Sequence, residues 1–318
     1  MSSILLPIFL LIAIGYGAAR LRVVGDEGVK AMSDLSFMLF LPALLFRAMA
    51  RTDFAAFPML APAAYFGTGV ALFTLVYLVL RRRGASVRTA TVYGMSGTYG
   101  NLVMLGVPLV RLAYGERGLA VLLSLIALHA LFLLTLATLV VEIGERAAGD
   151  LSGEGAHARR SRWIATFVDV VRTAVLHPVI VPIIAGFAWA QTGWVLPAPI
   201  DATLSLIGGA APTLCLILLG ASLVQFDPRA ELGAALRLTL MKSLVQPLAV
   251  YAVGRWLFGL DQLTLSVLTV AASLPIGANA YLLAQRYQAG LAPVSAGVTL
   301  STVATGLTIG PLLGFLGR

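Results

Sequence analysis

The sequence predicts an all-α membrane protein of ten transmembrane helices, arranged as two inverted five-helix repeats whose fourth and ninth helices are broken and cross. Three observations carry that prediction. Of the 318 residues, 59% are hydrophobic and 11% charged, with a mean hydropathy of +0.94, and apolar runs long enough to span a bilayer recur along the chain. Lysine and arginine are shared unevenly between alternate loops. Two of the apolar runs are interrupted in their middles by Gly, Pro and Asn.

Taken in order, the first segment (3–19) has no basic residue ahead of its apolar run, so it reads as a first span rather than a cleaved signal. Segments two (34–50) and three (57–80) follow after short connections. Segment four (90–110) carries Gly94, Gly97 and Gly100 at three-residue spacing, then Asn101, Gly106 and Pro108. Glycine and proline inside a helix cost about 1 and 3 kcal/mol relative to alanine, so this helix is expected to break near Gly100. Segment five (117–142) ends in the one long polar stretch, 143–172. Segments six (173–192), seven (202–224) and eight (234–258) follow it. Segment nine (263–285) is interrupted by Pro275, Gly277 and Asn279, and segment ten (293–316) closes the chain. The division is a first repeat at 1–142, a cytoplasmic linker at 143–172 and a second, inverted repeat at 173–318.

Orientation follows from the positive charges. The connections after segments one, three, five, seven and nine hold 15 of the 22 Lys and Arg residues, and the opposite side holds 6. Cytoplasmic loops carry the excess, so the long loop is expected inside and both termini outside. Five segments per half is an odd number, which forces the halves into opposite topology. Local echoes fit such a repeat: Gly15-Tyr16 with Gly186-Phe187, Pro42 with Pro212, and Gly100 with Pro275 all stand between 170 and 175 residues apart. The arginine-rich composition fits a bacterial inner-membrane protein, and the net charge of +8 sits in loops, where orientation explains it without nucleic acid. Cys215 is the lone cysteine, which excludes a disulfide framework and a thiolate metal cluster. No cofactor and no metal are expected.

Paired interruptions in two halves point to a ligand site. Segment four runs outward and segment nine inward, so the second half of each begins at its break. Each such end has unpaired N–H groups and about half a positive charge from the helix dipole. Together they suit a small anion such as a carboxylate. Gly100 and Pro275 break the helices, Asn101 and Asn279 supply polar groups at the new N-termini, Ile276 joins the second break, and Gly277 permits close backbone approach. Small residues also pack membrane helices together, but two paired interruptions, each with an asparagine, favour a binding site. Lys242 is the one charge well inside an apolar run. It reads either as a substrate counter-charge or gate or as a side chain snorkelling to the cytoplasmic surface. His129 reads as a packing residue more readily than as a proton relay. Acidic residues stand at segment ends (Asp34, Glu142, Asp201, Asp261). A sodium site would therefore need carbonyls, asparagines and the hydroxyls of Ser96, Thr98 and Ser273.

GNLVMLGVPLVRLAYGERG (100–118) resembles the fourth-helix signature of the auxin efflux carrier family, and SLPIGANAYLLAQRYQAG (273–290) resembles its ninth-helix signature. The likeness extends over the whole chain, in the compact bacterial form with a short central loop. One departure stands at Gly100, where plant carriers have proline before the asparagine. The resemblance implies a scaffold of segments one, two, six and seven, a moving transport domain of the other six, a homodimer in the lipid bilayer, and small organic anions (dicarboxylates or auxin-like monocarboxylates) as substrates. Two other readings are open. A sodium-coupled carrier of the bile-acid symporter type resembles this family in its crossed helices. Gly94-Met95-Ser96-Gly97 matches the pattern of an intramembrane serine protease, which would need His129 or His177 as base.

Overall fold

The computed structural model describes residues 2–52, 60–147, 178–226 and 231–317, together with residues 172, 176 and 229. Most of the central loop, His177 and the first residues of segments three and six thus lie outside the described residues. Among the described residues the structure is helical apart from turns and one isolated bridge between extended residues. The helices are α1 (Ser2–Arg20), α2 (Asp26–Ala50), α3 (Ala61–Arg82), α4 (Val87–Ser96), α5 (Val107–Ala147), α6 (Ile180–Gln191), α7 (Ala198–Ser222), α8 (232–257), α9 (Gln262–Ser273), α10 (Ala278–Tyr287) and α11 (Leu291–Phe315). Among the described residues four helices are long and apolar enough to cross a membrane: Asp26–Ala50, Ala61–Arg82, Ala198–Gln225 and Leu291–Phe315.

Segments four and five meet where the sequence places their boundary. α5 consists of two helices joined at a kink at Gly115, which lies between 110 and 117. That residue has φ 64° and ψ −160°, a conformation open to glycine because it lacks a Cβ. Helical backbone resumes on either side of it.

Among the described residues the helices widen into π turns at Ser36–Phe40, Leu102–Gly106, Met241–Val245 and Val253–Leu257. The first three each end two residues before a proline: Pro42, Pro108 and Pro247. A proline removes one N–H from the helix ladder and its ring presses on the carbonyl four residues back. A local i→i+5 turn absorbs both effects without stopping the helix.

Packing divides the helices into two groups. In the first, α1 lies along α7, and α2 along α6 and α7. Glycines bring these backbones together: Gly15 of α1 faces the Ile217 backbone of α7, and Gly220 of α7 faces the Ile12 carbonyl of α1. At the other contact, a Cβ on Gly186 of α6 would meet the Phe46 carbonyl of α2 at 2.6 Å. Close approach of this kind is how membrane helices gain van der Waals contact. Arg47, in the last turn of α2, donates to both carboxylate oxygens of Asp201 in the first turn of α7, at 2.8 and 3.0 Å. Each charge sits at the helix end whose dipole favours it. In the second group α3 packs on α4, α9 on α5 and α8, and α11 on α8 and α10. An apolar groove of about 540 Å³ runs between α1 and α11, lined by Leu5, Phe9, Leu223 and Leu307.

Candidate functional site

Both half-helices that lead into the interruptions are capped at their starts. Ser86 Oγ accepts from the Thr89 N–H at the head of α4, and Asp261 Oδ1 accepts from the Thr264 N–H at the head of α9, each at 3.1 Å. Such caps satisfy donors that a helix start leaves orphaned. Both helices then stop inside the protein. α4 ends at Ser96 ahead of Gly97, and α9 ends at Ser273. Leu274, next, is extended (φ −63°, ψ 151°), as the residue before a proline is driven to be.

The two interruptions meet. Gly100 and Ile276 form the isolated antiparallel bridge. Asn101 donates its N–H to the Pro275 carbonyl at 2.9 Å, and Gly277 donates its N–H to the Tyr99 carbonyl at 3.0 Å. Backbone groups freed from helices thereby satisfy one another, which non-helical chain at membrane depth requires. The approach leaves no room for side chains. A Cβ on Gly277 would lie 2.7 Å from the Tyr99 ring and 3.1 Å from the Gly100 carbonyl oxygen. Asn101 (φ −79°, ψ 69°) is the centre of an inverse γ-turn closed by the Leu102 N–H on the Gly100 carbonyl at 2.9 Å. Its side chain caps the next turn, with Oδ1 accepting from the Met104 N–H at 3.1 Å. Asn279 Nδ2 donates to the Tyr99 hydroxyl at 2.6 Å.

Two neighbouring helices clamp this crossing, each with a pair of residues one turn apart. From α8, Lys242 Nζ donates to the Ala272 carbonyl, and Gln246 Nε2 donates to the Thr98 carbonyl at 3.0 Å. From α11, Ser301 Oγ accepts from the Ile276 N–H at 3.0 Å, and Thr305 Oγ1 donates to the Ser273 carbonyl at 3.1 Å. Residues four apart share a helix face, so one turn of each helix serves both contacts. Lys242 is fully buried, and a Cβ on Gly100 would lie 3.2 Å from its Nζ. The snorkelling reading is therefore overturned: the carbonyl end of α9, which carries the negative pole of a helix dipole, draws the ammonium inward. Among the described residues no carboxylate pairs with it; the ion pairs found join Asp201 to Arg47 and Arg51, and Arg111 to Glu116.

His129 is buried against Tyr99, with ring centroids 4.2 Å apart, and lies close to Tyr65 and Phe66. Neither ring nitrogen makes a well-formed hydrogen bond. Ser96, the nucleophile of the protease reading, donates its hydroxyl to the Val92 carbonyl one turn back at 2.8 Å, and no histidine among the described residues bonds to it.

All seven residues expected at the site, Gly100, Asn101, Lys242, Pro275, Ile276, Gly277 and Asn279, thus converge on one point. Tyr99, Ser301 and Thr305 belong to it as well. Serine and threonine are frequent throughout segment ten, so no local signal separates the two that matter from their neighbours. Asn101 and Asn279 are half-buried and Ala278 is exposed, while residues 271–277 beside them are buried. The accessible side of the crossing is its two half-helix N-termini. At the first, the N–H groups of Asn101, Leu102 and Met104 are already bonded, so that end offers an anion the positive pole of its dipole, while α10 starts without a side-chain cap.

A family model described as membrane transport protein matches residues 1–310. A Rhizobium meliloti protein bearing the name "Putative malonate transporter" is 26% identical over 324 residues, covering 98% of this chain and 94% of its own. A Methanothermobacter thermautotrophicus protein named "Uncharacterized transporter" is 25% identical over 302 residues, covering 94% and 92%.

Proposed function

This chain belongs to the membrane transport protein family, the auxin efflux carrier type, and from that premise we propose that it is a secondary transporter of small dicarboxylates that are held at the crossing of α4–α5 with α9–α10. It is a membrane transporter and not an enzyme. One observation carries the substrate class: a fully buried lysine, Lys242, has no carboxylate partner among the described residues and stands beside Gly100, at the first interruption. Its amine is bonded to the Ala272 carbonyl, but a full buried charge is expensive without a counter-charge, and a bound anion supplies one. A dianion uses the helix ends as well, one carboxylate at the N-termini near Asn101 and Asn279 and the other toward Lys242. The relative named for malonate supports that class.

Alternating access in this reading is an elevator. The helices around the crossing move as a body against the group α1, α2, α6 and α7, which the glycine contacts and the Arg47–Asp201 pair hold together. The apolar groove between α1 and α11 is a boundary of the two bodies that costs no polar contact to shear. Ten spans in two inverted repeats fit the internal pairing: Ser86 and Asp261, like Gly100 and Pro275, stand 175 residues apart and cap equivalent helices. Gly15 and Gly186, the echoing pair, pack α1 on α7 and α6 on α2. The rest of the proposal is a homodimer in the inner membrane with both termini outside and the central loop cytoplasmic, on the strength of the loop charges.

Uptake of radiolabelled malonate into proteoliposomes tests the substrate class. Saturable uptake, competed by succinate more strongly than by an indole monocarboxylate, is the expected result. Uptake competed only by monocarboxylates, or none above empty liposomes, contradicts it.

A further inference from the structure

Pro275 has an effect beyond ending α9. In an unbroken helix the carbonyl of Ala271 would accept from residue 275, that of Ala272 from residue 276 and that of Ser273 from residue 277. Proline has no N–H to give, Ile276 gives its N–H to Ser301, and Gly277 gives its N–H to Tyr99. Three successive carbonyls at the negative pole of a helix are therefore released at one place. Thr305 serves that of Ser273 and Lys242 that of Ala272. A Cβ on Gly100 would touch both Lys242 Nζ, at 3.2 Å, and the Ala271 carbonyl oxygen, at 3.4 Å. The ammonium is thus bonded to one released carbonyl, that of Ala272, with that of Ala271 released beside Gly100; carbonyl oxygens are the ligands that hold dehydrated monovalent cations elsewhere in membranes.

We propose that Lys242 is a tethered cation, its ammonium filling a carbonyl-lined position at the end of α9 that a free monovalent cation would otherwise fill. Two consequences follow. The protein needs no sodium at the crossing, since the charge that neutralises the carbonyl end is covalently attached and travels with the helices. Removal of the amine opens the position to sodium or to a small primary alkylammonium. This goes beyond the transport reading and stands whichever anion is carried, so it is tested without a substrate.

The full-length protein in detergent is melted in choline, sodium or methylammonium chloride at equal ionic strength. Wild type is expected to melt at one temperature in all three. Lys242→Ala melts several degrees lower in choline and recovers saturably in methylammonium or sodium. Lys242→Met, which refills the space with an apolar chain, melts below wild type and recovers in neither. Identical melting of Lys242→Ala in the three salts, or Lys242→Met as stable as wild type, overturns the proposal. If Lys242→Ala does not survive preparation in choline, it is prepared in methylammonium chloride. Unfolding on exchange into choline then supports the proposal, and failure in both salts overturns it.

Discussion

The two interrupted helices meet at a single bridge, but they are held in different ways. Around Asn101 the chain holds itself: a γ-turn, a side-chain cap on Met104 and the Gly106 N–H on the Asn101 carbonyl at 3.2 Å are all local. Around Pro275 almost nothing is local. Lys242, Ser301 and Thr305 come from two other helices, and Gly277 makes no side-chain cap at the start of α10. The self-capped interruption leans on its surroundings less, through the Gln246 bond to the Thr98 carbonyl, whereas the other leans on both α8 and α11. In the proposed mechanism that dependence is the reason for α8 to α11 to move as one body.

Single substitutions test the contrast between the two sides. The largest effect is expected at Gly277. Gly277→Val drives a branched side chain into the Tyr99 ring and the Gly100 carbonyl, parts the bridge and abolishes uptake, with stability lowered by about 1–3 kcal/mol for overpacking. Gly97→Ala, on the self-held side, comes within 2.9 Å of Met241 Cγ and otherwise meets its neighbours at 3.5 Å or more, so with a shift of that side chain it should retain most uptake. Equal damage from the two changes would remove the contrast.

Asn101→Ala comes next. Loss of one hydrogen bond to a charged ligand is worth about 1.5–3 kcal/mol, which raises KM for the anion about 10- to 100-fold. The lost cap itself lowers stability by about 1 kcal/mol. Ser301→Ala should show the reverse split. It orphans the buried Ile276 N–H, at a cost of about 1–3 kcal/mol in stability, visible as a lower melting temperature with KM little changed. Ser96→Ala should be the smallest. Its hydroxyl bonds only within its own helix, so melting and uptake stay at wild-type values, within the roughly 0.5 kcal/mol of an uninvolved site; loss of activity would revive the nucleophile reading.

Much of this was legible in the residues. Gly100, Asn101, Pro275 and Gly277 break rules of helix propensity inside apolar runs, and the chain has few other reasons to place them there. Two features were not legible. A connection between segments four and five was expected, but not that Gly115 makes it, since glycine is too common here (32 residues) for one of them to announce a positive φ. The direction of Lys242 was equally hidden. Its distance from Arg237 allowed it to reach the surface, and only the carbonyls released by Pro275, 33 positions away in sequence, turn it inward. Side chains that complete another helix's hydrogen bonding carry no local pattern, and Ser301 and Thr305 were missed for the same reason.

In the proposed mechanism an anion sits where the two interruptions meet, between the half-helix N-termini and Lys242. Charge displacement on a solid-supported membrane is the decisive test, with wild-type and Asn101→Ala proteoliposomes at matched protein content and a panel of mono- and dicarboxylates in sodium-free buffer. Currents are expected on dicarboxylate jumps in wild type, unchanged by added sodium and lost or shifted to far higher concentrations in the variant. Wild-type currents that the variant keeps at the same half-saturating concentration would place the anion elsewhere and contradict it.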